Sequence, residues 1–132
     1  MGVWAVLADM STKFLRDGQE AAVIDVGSNS VRLVVYRIDG RAMTPILNEK
    51  VMAGLGREGA RTGSLSKDGV DQALRAVRRF ATLIDALQIM DVYAVGTAAV
   101  REAKDGKEFA ARMEAESGIK LRILSGEEEA RL

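Results

Sequence analysis

The chain has 132 residues, with 19 Lys+Arg balanced by 19 Asp+Glu, 48% hydrophobic and 29% charged residues, and neither cysteine nor histidine. That length and balance describe one folded domain with a modest core, not a disordered tail. They exclude disulfide and thiolate-metal frameworks, histidine-dependent nucleophile pairs, and a net field that would gather nucleic acid or an anionic membrane. Any chemistry must rest on carboxylates, hydroxyls, backbone amides and basic side chains. The absence of cysteine fits a reducing compartment, and the cytoplasm is the expected location.

Residues 1–20 show no clear period. The apolar run Val3 to Ala8 is far shorter than the ~20 residues that span a bilayer. It lacks the basic flank and small-residue cleavage site of a signal peptide. The segment is expected to be a poorly ordered extension or an appended leader. From residue 21 the pattern sharpens. Ala21 to Val26 is a short apolar run, Gly27-Ser28-Asn29-Ser30 is turn chemistry, and Val31 to Ile38 is a second run rich in β-branched residues. Together they predict a β-hairpin. Asp39-Gly40 is a strong two-residue turn signal, so a third antiparallel strand is expected from about Arg41 to Val51, with Pro45 marking it as irregular or as an edge.

A glycine-rich connection follows (Gly54, Gly56, Gly59, Gly63), then Ser66 as candidate N-cap with Asp68 in the first turn. Val70, Ala73, Leu74, Val77, Phe80, Ala81, Ile84 and Leu87 recur at spacings of three and four, which predicts a long amphipathic helix with Arg75, Arg78 and Arg79 on its solvent face. Asp91 to Gly96 reads as a short buried strand. Asp105 and Glu108 have the spacing of a capping box before a helix that Gly118 ends. Ile119 to Leu124 is another strand, and Gly126 to Leu132 opens a further helix. The order βββαβαβ(α) predicts an α/β layer fold on a mixed sheet, apparently truncated within its last helix.

Three stretches carry residues suited to chemistry. Asp25 ends a buried strand, where a lone carboxylate is costly unless it is paired or near a cation. The following Gly27, Ser28, Asn29 and Ser30 form either an ordinary hairpin turn or a nest of amides and hydroxyls for phosphate oxygens. Gly96-Thr97 precedes a helical turn that exposes amides to an anion; Arg101 either reaches that anion or pairs with Glu102 or Asp105. Glu127, Glu128 and Glu129 crowd a helix start, either as a solvated first turn or with one carboxylate placed to deprotonate a water.

In register, these stretches resemble the three signatures of the exopolyphosphatase / guanosine pentaphosphate phosphatase (Ppx/GppA) family. Ala22 to Leu33 is similar to its opening strand-turn-strand, Gly96 to Ala103 to its second signature, and Ser125 to Leu132 to its third. The resemblance covers about residues 20 to 132. It implies an actin-like ATPase (ribonuclease H-like) lobe. It also implies hydrolysis of the terminal phosphoanhydride of inorganic polyphosphate or of guanosine pentaphosphate, with Mg²⁺ as cofactor and no membrane or nucleic-acid partner. By that likeness Asp25, Gly27, Ser28, Asn29 and Ser30 form the first phosphate loop, with Asp25 also near the metal, and Thr97 and Arg101 line the cleft wall. Glu128 corresponds to the water-activating glutamate, with Glu129 as the other assignment. Some members place an acidic residue where this chain has Ala98. The family's Asp-Ile-Gly-Gly-Gly-Ser type second phosphate loop and its second lobe are expected beyond the end of the chain. Residues 21–132 are therefore expected to be an incomplete first lobe that does not turn over substrate alone and that self-associates as a homodimer through an exposed core face. The other readings are a non-catalytic module that binds polyphosphate or guanosine tetra- and pentaphosphate, and an actin-like kinase or chaperone-type ATPase. The Gly126 to Arg131 segment argues against the last.

Overall fold

A computed structural model describes residues 18–40 and 42–130 of the chain. Strand β1 (Glu20–Val26) and strand β2 (Ser30–Asp39) form the expected hairpin, antiparallel from Val26↔Val31 to Glu20↔Arg37. The first strand thus opens one residue before the expected boundary. The rest of the expected N-terminal extension, residues 1–17, lies outside the described residues. Strand β3 (Ala42–Met52) pairs antiparallel with β2, and its register slips between Leu47 and Pro45, opposite Val35 and Tyr36. Proline has no amide to give a ladder, so the slip falls there and the strand lies at the sheet's edge.

The glycine-rich connection holds one short helix, α1 (Gly59–Thr62), and leads into the long helix α2 (Lys67–Ala86). Ser66 caps α2 as its sequence position implied: its hydroxyl accepts from the Gly69 amide at 3.2 Å. Ala73, Leu74, Val77, Phe80 and Ile84 are buried, while Arg75, Arg78 and Arg79 are exposed. Arg78 pairs with Glu116, and Arg79 pairs with Glu49 at 3.0 Å. Strand β4 (Asp91–Gly96), the short helix α3 (Ala98–Glu102), helix α4 (Gly106–Ser117), strand β5 (Leu121–Ile123) and the helical turn α5 (Gly126–Ala130) complete the order.

The sheet has five strands in the order β3-β2-β1-β4-β5; β4 runs parallel to β1, and β5 parallel to β4. Ala22, Ile24 and Val26 of β1 share one face with Val31, Leu33 and Val35 of β2, and this face meets Leu74, Val77, Phe80, Phe109 and Met113 in the core. Strand side chains alternate between faces, so Asp25 falls on the opposite face. Ala21, Val23, Val34 and Val95 are buried there too, which is why β1 reads as a continuous apolar run.

One local expectation is overturned. Asp105 and Glu108 do not form a capping box, because Asp105 has backbone angles unlike an N-cap (φ −101°, ψ 17°) and makes no cap bond. Its Oδ1 instead accepts the Leu65 amide at 2.9 Å, tying the start of α4 to the loop before α2.

Candidate active site

The three chemically suggestive stretches meet at the carboxyl ends of the parallel strands. Thr97, after β4, donates its amide to the Val26 carbonyl at 3.2 Å, and Leu124, after β5, donates to the Gly96 carbonyl at 2.8 Å. A side chain built on Gly27 would lie 4.0 Å from the Thr97 hydroxyl, so the hairpin tip and the second motif are neighbours. Ligands in sheets of this kind bind outside the carboxyl ends of strands, where successive loops diverge.

The hairpin tip is held by its carbonyls. Ser28 C=O accepts from Gly56 N–H at 2.9 Å, and Asn29 C=O accepts from Ala53 N–H and Gly54 N–H at 3.0 Å each. A planar trans peptide points its carbonyl and the following amide in opposite directions. The amides of Asn29 and Ser30 therefore face away from the glycine-rich segment, while Ser28 and Asn29 are exposed. Gly56 keeps this junction tight: a Cβ there would displace the Ser28 hydroxyl and lie 3.2 Å from the Ser28 Cβ. A groove of about 430 Å³ runs beside it, lined by Ser28, Gly56, Ser64, Ala98, Ala99 and Glu102, among others. Sequence reading took those glycines for a connection only; their close spacing before a capped helix was the available signal of a tight backbone approach.

Asp25 ends β1 with its Oδ1 buried and without a hydrogen-bond partner. Burial pushes its carboxyl above the usual range; the neighbouring Arg32 guanidinium opposes this and the Glu129 carboxylate adds to it. Arg32 is the cross-strand partner of Asp25, a residue the sequence reading did not single out. The hairpin register reveals it, because Asp25 and Arg32 lie one step beyond the Val26–Val31 pair on either side of the turn.

Glu128 and Glu129 have different surroundings. Ser125 and Glu128 form a reciprocal capping box at α5: the Glu128 amide donates to Ser125 Oγ at 3.1 Å, and the Ser125 amide donates to Glu128 Oε1 at 3.0 Å. Glu128 Oε2 pairs with Arg122. The Ser125 amide first, and Arg122 with it, hold the Glu128 carboxyl below its usual range. Glu129 instead faces Arg101, whose Nη1 donates both to Glu129 and, at 2.9 Å, to the Leu124 carbonyl. Arg101 Nη2 lies 3.6 Å from Glu102. Asp105, the other partner considered for Arg101, is engaged by Leu65. Ser125→Ala is expected to cost about 1 kcal/mol of stability in urea unfolding, as for other lost N-caps. Glu128→Ala should move stability the same way, and the double variant should lose little more than either, since both remove one device.

Comparison with known proteins shows the chain's relatives. The model of the Ppx/GppA phosphatase family matches residues 34–132. Exopolyphosphatase 1 of Mycobacterium bovis is 32% identical over 111 residues, which are 83% of this chain and 32% of that protein. A crystal structure of the Ppx/GppA family member of Aquifex aeolicus superposes with a TM-score of 0.81 at 33% identity, covering 86% of this chain and 37% of the other. An exopolyphosphatase from Cytophaga hutchinsonii gives a TM-score of 0.77 at 29% identity over 83% of this chain and 35% of the other. The chain thus spans about a third of the length of the relatives it matches. The sheet order and these likenesses make the fold an actin-like lobe on a mixed sheet. With three-quarters or more of its residues aligned by each route, the chain belongs to the Ppx/GppA phosphatase family.

Proposed function

We propose that the chain supplies the phosphate-gripping side of a phosphohydrolase that removes terminal phosphates from inorganic polyphosphate or guanosine pentaphosphate, and that Glu129, rather than Glu128, activates the water. The observation carrying this reading is the Arg101–Glu129 pair at the carboxyl ends of β4 and β5, next to the strand whose carboxyl end carries Asp25. Glu128 is the poorer base: both its oxygens are bonded, and the Ser125 amide and Arg122 favour its charged form.

The amides and hydroxyls of Ser28, Asn29 and Ser30, with Thr97 and Arg101, would receive the phosphate oxygens. The unpartnered buried Oδ1 of Asp25 fits a cation ligand. Among the described residues no group of three or more acidic, cysteine or histidine side chains forms a metal cage. Mg²⁺ is commonly held by one or two carboxylates with water and phosphate oxygens completing its shell, and Asp25 would be the carboxylate this chain supplies. Bound there, Mg²⁺ would neutralise charge on the phosphate oxygens during in-line attack. Glu129 would take the proton of the attacking water, and Arg101 would stabilise charge on the transferring group.

Phosphoryl transfer depends on positioning and exclusion of water, and the groove beside Ser28 is open. The 132-residue chain is therefore expected to bind tripolyphosphate with Mg²⁺ in calorimetry and to release no phosphate from it. No binding would sink the reading. Binding with turnover would sink the claim that this chain is insufficient. No described helix is long and apolar enough to cross a membrane.

A further inference from the structure

Arg101 carries one positive charge and is already surrounded by acceptors. Its Nη1 donates to the Glu129 carboxylate and to the Leu124 carbonyl at 2.9 Å, and Nη2 lies 3.6 Å from the Glu102 carboxylate. Two anionic side chains thus share one cation, in a side chain only 27% exposed. A phosphate arriving at that guanidinium without displacing a carboxylate would gather three anionic groups on one cation. Of the two carboxylates, Glu129 is in direct contact and less exposed than Glu102 (31% against 72%). Its backbone is fixed: the Glu129 amide donates to the Ser125 carbonyl at 3.1 Å, and the capping box holds the same turn. Glu129 can therefore part from Arg101 only through its side chain.

We propose that Arg101 is a shared partner that Glu129 and a substrate phosphate hold in turn, so that phosphate binding releases the Glu129 carboxylate as one coupled event. This rests on the roles given above to Arg101 and Glu129. A carboxylate in an ion pair is a poor proton acceptor, because taking a proton breaks the pair. Moving Arg101 onto the phosphate both stabilises the anion and frees Glu129 to take the proton of a water. The base is then exposed when phosphate is present and masked otherwise. Arg101 becomes a positioning residue for Glu129 as well as a phosphate contact.

The proposal is tested by a double-mutant cycle. Tripolyphosphate binding, without added Mg²⁺, is measured by calorimetry for the wild-type chain, Glu129→Gln, Arg101→Gln and the double variant. Thermal unfolding of each variant verifies that it is folded, and Arg101→Lys replaces Arg101→Gln if the latter is not. Competition for Arg101 predicts that Glu129→Gln binds tripolyphosphate about tenfold more tightly than wild type. In either Arg101 background the same substitution should gain clearly less, about twofold or under. If Glu129 acts only by general repulsion, the gain will be equal or larger without Arg101, and that result overturns the proposal. No gain in the wild-type background overturns it as well. If no chain binds without Mg²⁺, the coupling fails, while the functional reading stands or falls on the measurement with Mg²⁺ above; if wild type binds and the cycle is additive, only the coupling fails.

Discussion

Asp25→Asn is expected to stabilise the fold while weakening Mg²⁺-dependent tripolyphosphate binding by roughly 10- to 100-fold, the range for losing one charged contact. The two effects have one cause. Asp25 places a carboxylate oxygen in the protein with no hydrogen-bond partner, and burial disfavours its charge. An unsatisfied buried group costs about 1–3 kcal/mol. Because Asp25 keeps partial contact with solvent, about 1 kcal/mol is the better figure, or a rise in melting temperature of roughly 4 °C for a chain of this size. Strain kept at a functional position in this way is released when the function is removed. A variant that melts at or below the wild-type temperature, or binds as wild type does, would contradict this account.

The pH dependence follows from the same shift. The Asp25 carboxyl titrates higher in the folded chain than in the unfolded one. Between the two values the folded state binds more protons, so stability falls as pH rises through that interval. At neutral pH the full cost is present and Asp25→Asn has its largest advantage. As pH drops below the folded-state value, Asp25 takes up its proton and the advantage shrinks. Melting curves of wild type and variant recorded from neutral to acidic pH should converge on the acid side. Added Mg²⁺ should also narrow the gap at neutral pH, by stabilising wild type alone.

The elements that depend on local pattern were legible in the sequence. The apolar, β-branched runs of β1 and β2, the spacings of three and four from Val70 to Ile84, and the Ser66 cap all reappear as expected, while Leu87 falls at the end of the helix and is exposed. The capping boxes show where such reading fails. Asp105 and Glu108 have the right spacing but make no box, because a distant amide, that of Leu65, claims the Asp105 carboxylate. Ser125 and Glu128 do make one, although the run Glu127 to Glu129 reads in sequence as a solvated turn or a source of a catalytic carboxylate. Spacing gives the opportunity for a bond; the long-range competitor decides it. The same limit applies to Glu128 and Glu129. Adjacent helical residues point roughly 100° apart, so the two carboxylates meet different neighbours. Only the positions of Arg122 and Arg101, set by β5 and α3, tell which partner each one takes.

Gly106→Ala should be the most damaging small substitution in the fold and should take the site with it. A Cβ at Gly106 would overlap the Val100 backbone carbonyl. A flexible side chain would rotate away from such a clash; a carbonyl in α3 moves only if the helix moves. Overpacking of this kind costs about 1–3 kcal/mol, and an immovable partner places Gly106 at the upper end, near a 10 °C fall in melting temperature. Gly59 provides the control. Nothing lies within 4 Å of a Cβ there and its φ is not positive, so Gly59→Ala should gain about 0.5 kcal/mol by restricting the unfolded chain. The functional consequence comes from what α3 carries. Val100 is fully buried and immediately precedes Arg101, and the amides of both donate to the Thr97 carbonyl, at 3.1 and 3.0 Å. Displacing α3 shifts Arg101 away from both Glu129 and the Leu124 carbonyl. Gly106→Ala should therefore weaken tripolyphosphate binding at temperatures where the variant remains folded. A variant that loses stability but binds as tightly as wild type would show that α3 does not set the position of Arg101.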